Sequence, residues 1–167
     1  RGNHDEAIAL IRRAIQSRAT SAMQSNLGLA LKATGLLDDA VVAFHQALLL
    51  APDDAVACAN LGNVLRQLGR FDEAVSYCQR AIAIKPDLAD AHNSLGLALQ
   101  AVGQLEAAAD SYRRAIEVNP AFLAAQFALG NIHQMQGRHD TAIAHYETVL
   151  RHNPGQIDAL YNMGIVQ

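Results

Sequence analysis

Every proline in this chain falls on one interval. Pro52, Pro86, Pro120 and Pro154 follow one another at 34 residues, and they are all 4 of the prolines. Gly28, Gly62, Gly96, Gly130 and Gly164 keep the same interval, as do Gly35, Gly69, Gly103 and Gly137. Ala40, Ala74, Ala108 and Ala142 join them. So do Leu27, Leu61, Leu95 and Leu129, with Met163 in the fifth place. A period of this length means that one supersecondary unit is copied and stacked along the chain.

The residues within a period say what the unit is. After Leu88, small or apolar residues recur at helical spacing: Ala91, Leu95, Ala98, Leu99 and Val102. This predicts one helix with a buried stripe, ended by Gly103. A second helix is predicted from near Leu105, with Ala108, Tyr112, Ala115, Ile116 and Val118 as its stripe. Pro120 cannot continue that helix, and it disfavours helical geometry at Asn119. Asp38 and Asp39, or Asp72 and Glu73, stand in the first turn of second helices, where acids suit the positive end of the helix dipole.

The glycine inside each first helix costs about 1 kcal/mol relative to alanine. Its return in every period predicts a neighbour too close for a side chain, and the alanine columns through Ala74 and Ala81 read the same way. Two antiparallel helices crossing at small residues make a tight hairpin. Each hairpin leaves an apolar face open, so hairpins must stack. The expected fold class is therefore all-α: an α-solenoid of antiparallel helix-turn-helix repeats wound into a superhelix. A single array is expected over 1–167. Full repeats fill 21–54, 55–88, 89–122 and 123–156. The second helix of a truncated repeat occupies 1–20, and the first helix of another occupies 157–167. Leu160, Met163 and Ile165 then lack a covering helix, so a segment of a longer protein is expected, with pairing to a second copy as one use of an open end.

Composition narrows the function. Apolar residues make up 51% of the chain and charged ones 17%, which suits an ordered protein. The formal charge of -3 and the absence of any Lys/Arg run give no footprint for nucleic acid. No apolar stretch approaches the ~20 residues of a membrane span. Cys58 and Cys78 are too few for a disulfide framework; they read as buried side chains in a reducing, cytoplasmic compartment. Among His4, His45, His92, His133, His139, His145 and His152 no pair has the i, i+4 spacing of a helical zinc site. Glycine-rich phosphate loops and a G-x-S-x-G elbow are absent from the sequence. The segment is expected to be non-catalytic, with no metal and no cofactor.

The repeating residues resemble the tetratricopeptide repeat (TPR) family. One period reads Cys58, Leu61-Gly62, Leu65, Ala74, Cys78, Pro86, and the next reads His92, Leu95-Gly96, Leu99, Ala108, Tyr112, Pro120. The match runs through nearly the whole chain. It departs in the first aromatic column, which reads Gln24, Cys58, His92, Gln126 and Leu160, with no Trp. The resemblance implies that the first helix of each hairpin lines a concave groove for a protein or peptide partner.

The columns of that helix not used in packing carry the candidate site. One reads Asn26, Asn60, Ser94, Ala128, Asn162. A second reads Leu29, Asn63, Leu97, Asn131, Ile165. A third reads Ser25, Ala59, Asn93, Phe127, Tyr161. Asn is a poor residue for a helix interior, so its repetition there needs a reason. An amide offers two donors and an acceptor, and so pairs with both the N–H and the C=O of an extended peptide. Asn26, Asn60, Asn63, Asn93, Asn131 and Asn162 are the candidate backbone contacts, with Phe127 and Tyr161 adding apolar surface. The alternative is that these amides bond to the neighbouring hairpin or to water.

Two groove types of the family differ in chemistry. One takes chaperone carboxylate tails on Lys and Arg. Here that face offers mainly Lys32 and Arg66, which disfavours it. The other is the asparagine-lined array that precedes the O-linked N-acetylglucosamine transferase domain. Ala89-Asp90-Ala91-His92 and Ser111-Tyr112-Arg113-Arg114-Ala115-Ile116 look like that array. The leading expectation is a protein-interaction scaffold. The alternatives are the substrate arm of a glycosyltransferase and a self-assembly module.

Overall fold

The computed structural model describes the backbone of residues 2–166 and the side chains of residues 6–16 and 18–166. Among these residues there are ten α-helices and no strand. The chain forms two compact units, Arg1–Pro86 and Asp87–Gln167. The first holds α1 (Gly2–Ser17), α2 (Ser21–Ala33), α3 (Leu37–Leu50), α4 (Ala55–Gln67) and α5 (Phe71–Ile84). The second holds α6 (Ala89–Ala101), α7 (Leu105–Val118), α8 (Leu123–Met135), α9 (His139–His152) and α10 (Ile157–Val166). In each unit consecutive helices pair as hairpins, α2 with α3 and α4 with α5, then α6 with α7 and α8 with α9.

The punctuation works as the residues dictate. Each first helix closes in a Schellman motif, the hydrogen-bonding pattern of a left-handed C-terminal residue. In the first hairpin the N–H of Leu36 donates to Leu31 O at 2.9 Å, and the N–H of Gly35 donates to Lys32 O at 3.1 Å. The same pair of bonds recurs at Arg70, Gln104 and Arg138 with their preceding glycines. The motif needs positive φ, which Gly35, Gly69, Gly103 and Gly137 supply at 82°, 77°, 79° and 71°. At the far end of each second helix the residue before proline turns extended: Ala51, Lys85, Asn119 and Asn153 have ψ between 82° and 97°. Thr20 and Asp54 cap α2 and α4 by accepting from the N–H of Met23 and of Ala57.

The recurring helical glycine has a specific neighbour. A methyl carbon on Gly28 would stand 2.8 Å from the Phe44 ring. On Gly96 it would stand 2.6 Å from Tyr112, and on Gly130 2.7 Å from Tyr146. The close approach is thus made by a large side chain of the second helix, laid flat across the first. At Gly62 the neighbour is Cys78 Sγ at 2.6 Å, and here the backbone also closes in, with Ala74 O at 3.1 Å. Phe44, Cys78, Tyr112 and Tyr146 are fully buried, as are Ala40, Ala74, Ala108 and Ala142 on the same face. Two stripe residues expected inside are not: Val102 and Val118 are 37% and 40% exposed. Val102 is the C-cap residue of α6 and Val118 the last residue of α7, so each points past the crossing instead of into it.

Candidate functional site

In the first unit α2 and α4 pack side by side, so their outer faces adjoin. Asn26 on α2 is exposed, and Asn60 and Asn63 on α4 are half-buried. Asn63 Oδ1 accepts from Gln67 Nε2 at 2.7 Å, one turn along the same helix, which leaves its two N–H donors available. No bond from the Asn26 or Asn60 amide to another described residue is present. Two exposed apolar residues flank these amides. Leu29 lies three residues after Asn26, and Val56 lies four residues before Asn60. Those spacings put each on the face of its asparagine, at 42% and 52% exposure. Leu29 stands in the second column read from the sequence. Val56 stands in none of the three columns, although its helical spacing to Asn60 marks it.

In the second unit the same columns are arranged differently. Ser94 and Ala128, the counterparts of Asn26 and Asn60, are buried. Asn131 on α8 is bound within the protein: its Oδ1 accepts from the Tyr146 hydroxyl at 2.9 Å and from Asn162 Nδ2 at 2.8 Å. The Tyr146 hydroxyl lies 2.7 Å from Gln134 Oε1 as well. These bonds join α8, α9 and α10. Phe127 is half-buried, its ring 5.9 Å from that of Tyr146 and tilted 49° to it. Tyr161 is 69% exposed. Asn93 is half-buried, and its Oδ1 is buried without a hydrogen-bond partner. The structure thus brings Asn131 and Asn162 into direct contact and sets Phe127 beside the same tyrosine.

The remaining chemistry is sparse. Burial raises the thiol of Cys58 and pushes that of Cys78 up to about 12, despite the opposing charge of Arg66 near Cys78. Neither is a nucleophile at neutral pH. Among the described residues no group of three or more His, Cys, Asp or Glu is placed to hold a metal ion. The side chain of His4 lies outside the described residues. No helix among them is long and apolar enough to cross a membrane. Arg70 holds Glu73 in a bidentate pair at 2.7 and 2.8 Å, which draws the Glu73 carboxyl down and the guanidinium up on an exposed surface.

Stacked helical hairpins, each crossing on a glycine beneath one side chain of its second helix, define a helical-repeat protein. The tetratricopeptide repeat family matches residues 19–87, 53–121 and 93–157, and the chain belongs to that family. No curated protein matches it. Solved structures do. The crystal structure of MamA is 26% identical, covers 90% of this chain and 88% of its own, and superposes with a TM-score of 0.80. YrrB, described as a TPR protein with an unusual peptide-binding site, is also 26% identical, with 93% and 81% covered and a TM-score of 0.76. A thermophilic TPR protein of Thermus thermophilus shares the fold at 21% identity, with 99% and 91% covered and a TM-score of 0.79. The array is an all-α solenoid of the TPR type.

Proposed function

We propose that this chain is a protein-interaction scaffold and that the face of α2 and α4 holds an extended segment of a partner. The observation that carries this is the pair Asn26 and Asn60. They are two amides at equivalent places on adjoining helices, with no bond to another described residue and an exposed apolar residue beside each. Helices packed side by side stand about 8–10 Å apart. An extended chain rises roughly 3.3 Å per residue, so successive amides meet its backbone at about every third residue. Each amide pairs with one N–H and one C=O, while Leu29 and Val56 take apolar side chains between them. The peptide-binding description of YrrB supports the same use of this fold. Asn63, with its free donors, extends the row on α4. Phe127, Asn131, Tyr161 and Asn162 form the corresponding face of the second unit, where Asn131 and Asn162 bond to each other and Tyr161 is the exposed contact. Asn93 brings an unsatisfied carbonyl on α6.

The test is a selection from a random peptide display library on the immobilised chain, followed by affinity measurements. Selected peptides are expected to lose about fivefold in affinity with Asn60→Ala, the scale of one hydrogen bond. N-methylation of the peptide at one residue in three should have a similar effect. Peptides that bind Asn26→Ala, Asn60→Ala and Asn63→Ala as tightly as the parent chain would overturn the assignment.

A further inference from the structure

One cluster in the second unit has no part in the face just described. His133 on α8 and His145 on α9 stack, with ring centroids 5.5 Å apart and planes within 10°. His133 is buried, only 7% exposed, and His145 is half-buried. His145 Nδ1 lies 2.7 Å from Oε1 of Gln126, which is itself buried. A carbonyl oxygen only accepts, so that nitrogen carries the hydrogen. His133 Nδ1 is buried with no hydrogen-bond partner in the protein, and so is the nearby Gln136 Oε1.

Two parallel imidazoles at this distance tolerate each other while both are neutral. A proton on either ring places a charge in a partly desolvated site, and a second proton sets two like charges face to face. The surroundings do little to relieve this. From α7, Arg113 disfavours the charged His133 and Glu106 favours it. Arg138, at the start of α9, disfavours it, and Gln136 on its own side helps it. His145 meets no charge but that of His133. Burial leads in both cases, and both rings are held below the ordinary histidine range. Among the described residues, no group of α10, which packs on α9 and α8, enters either balance.

We propose that the His133–His145 stack is an acid-sensitive latch on the α8–α9 hairpin: closed when both rings are neutral, and opened when the pair takes up a proton. The sign follows from linkage. Both groups bind a proton more readily in the unfolded chain, near pH 6.5, than in the folded one. The stabilisation is therefore complete above about pH 6.5 and is lost as pH falls through the lowered folded values. The latch does not depend on what the α2–α4 face binds.

The test follows both the rings and the hairpin they close. Histidine ring NMR of the whole chain is expected to show His133 and His145 titrating below the ordinary histidine range. Amide hydrogen exchange, corrected for intrinsic rate, is expected to accelerate several-fold between pH 7.5 and 5.5 in α8 and α9 while α4 and α5 hold steady. His145→Phe keeps an aromatic ring and removes one of the two proton sites, so it is expected to reduce that acceleration. Should this variant fail to fold, the parent chain alone decides. Rings of His133 and His145 that titrate at or above the ordinary histidine value, near pH 6.5, or exchange in α8 and α9 that is indifferent to pH, would overturn the latch.

Discussion

The two units close their hairpins with the same geometry and different chemistry. In the first unit the residues laid over the helical glycines are Phe44 and Cys78, which have no hydroxyl. In the second they are Tyr112 and Tyr146, both fully buried. A buried hydroxyl requires a partner. Tyr112 finds Gln100 Oε1 at 2.9 Å, and Tyr146 finds Gln134 and Asn131. Twelve residues before Phe44 and Cys78 stand Lys32 and Arg66, where the tyrosines have Gln100 and Gln134. The consequence reaches the outer face. In the second unit an asparagine is drawn into the hairpin to satisfy a tyrosine and then holds Asn162. In the first unit no buried hydroxyl calls on Asn26, which is exposed, or on Asn60, which is half-buried. A buried tyrosine in the second unit thus engages an asparagine of the outer columns, whereas the Asn26 and Asn60 amides of the first unit bond to no other described residue.

Substitutions can break this contrast, the most severe first. Tyr146→Ala removes a filled ring and the anchor of Asn131 together. It is expected to cost about 4 kcal/mol, the scale of a large aromatic truncated in a core. Cys78→Ala, at the equivalent place in the first unit, should cost about 1 kcal/mol. Denaturant unfolding of the two variants measures the difference. Equal losses would mean that the crossings do not rest on the residue over the glycine.

Asn131→Ala leaves the Tyr146 hydroxyl with Gln134 and deprives Asn162 of its acceptor, for an expected loss of about 1–2 kcal/mol in the same assay. Asn60→Ala should leave unfolding nearly unchanged and weaken peptide binding by about 1 kcal/mol. Exchanged outcomes, with Asn60 holding the fold and Asn131 indifferent to it, would reverse the assignment of the two faces. Tyr112→Phe should cost about 1 kcal/mol, because Gln100 Oε1 loses its donor. The smallest effect concerns the thiols. Cys58 and Cys78 are buried, with raised pKa, so alkylation at pH 8 should proceed only as fast as the first unit opens. Rapid labelling of the folded chain would show that this crossing is looser than its contacts indicate.

The hairpins are legible in the sequence because proline, glycine and alanine each have one physical reason to recur, and recurrence at 34 residues repeats the test along the chain. The helical glycines predict a close approach, and the structure supplies its agent: a flat ring or a sulfur. Val102 and Val118 mislead because helical spacing does not reveal that a residue caps or ends its helix. The hydroxyl–amide pairs are present in the sequence as matched columns, with Tyr112 and Tyr146 each standing 12 residues after a glutamine. Asking where a buried tyrosine finds its partner exposes them. His133 and His145 also stand 12 apart across a turn. Only the three-dimensional crossing shows that these rings face each other.

Side-chain amide NMR tests the central contrast most directly. The NH2 groups of Asn26, Asn60, Asn63, Asn131 and Asn162 would be followed in the free chain and during titration with a library-selected peptide. In the free chain the amide of Asn162, which donates to Asn131, is expected to exchange slowly with water, and that of Asn60 rapidly. On titration the signals of Asn26, Asn60 and Asn63 should shift and Asn60 should become protected. Shifts confined to Asn131 and Asn162, with the first-unit amides unmoved, would contradict the account.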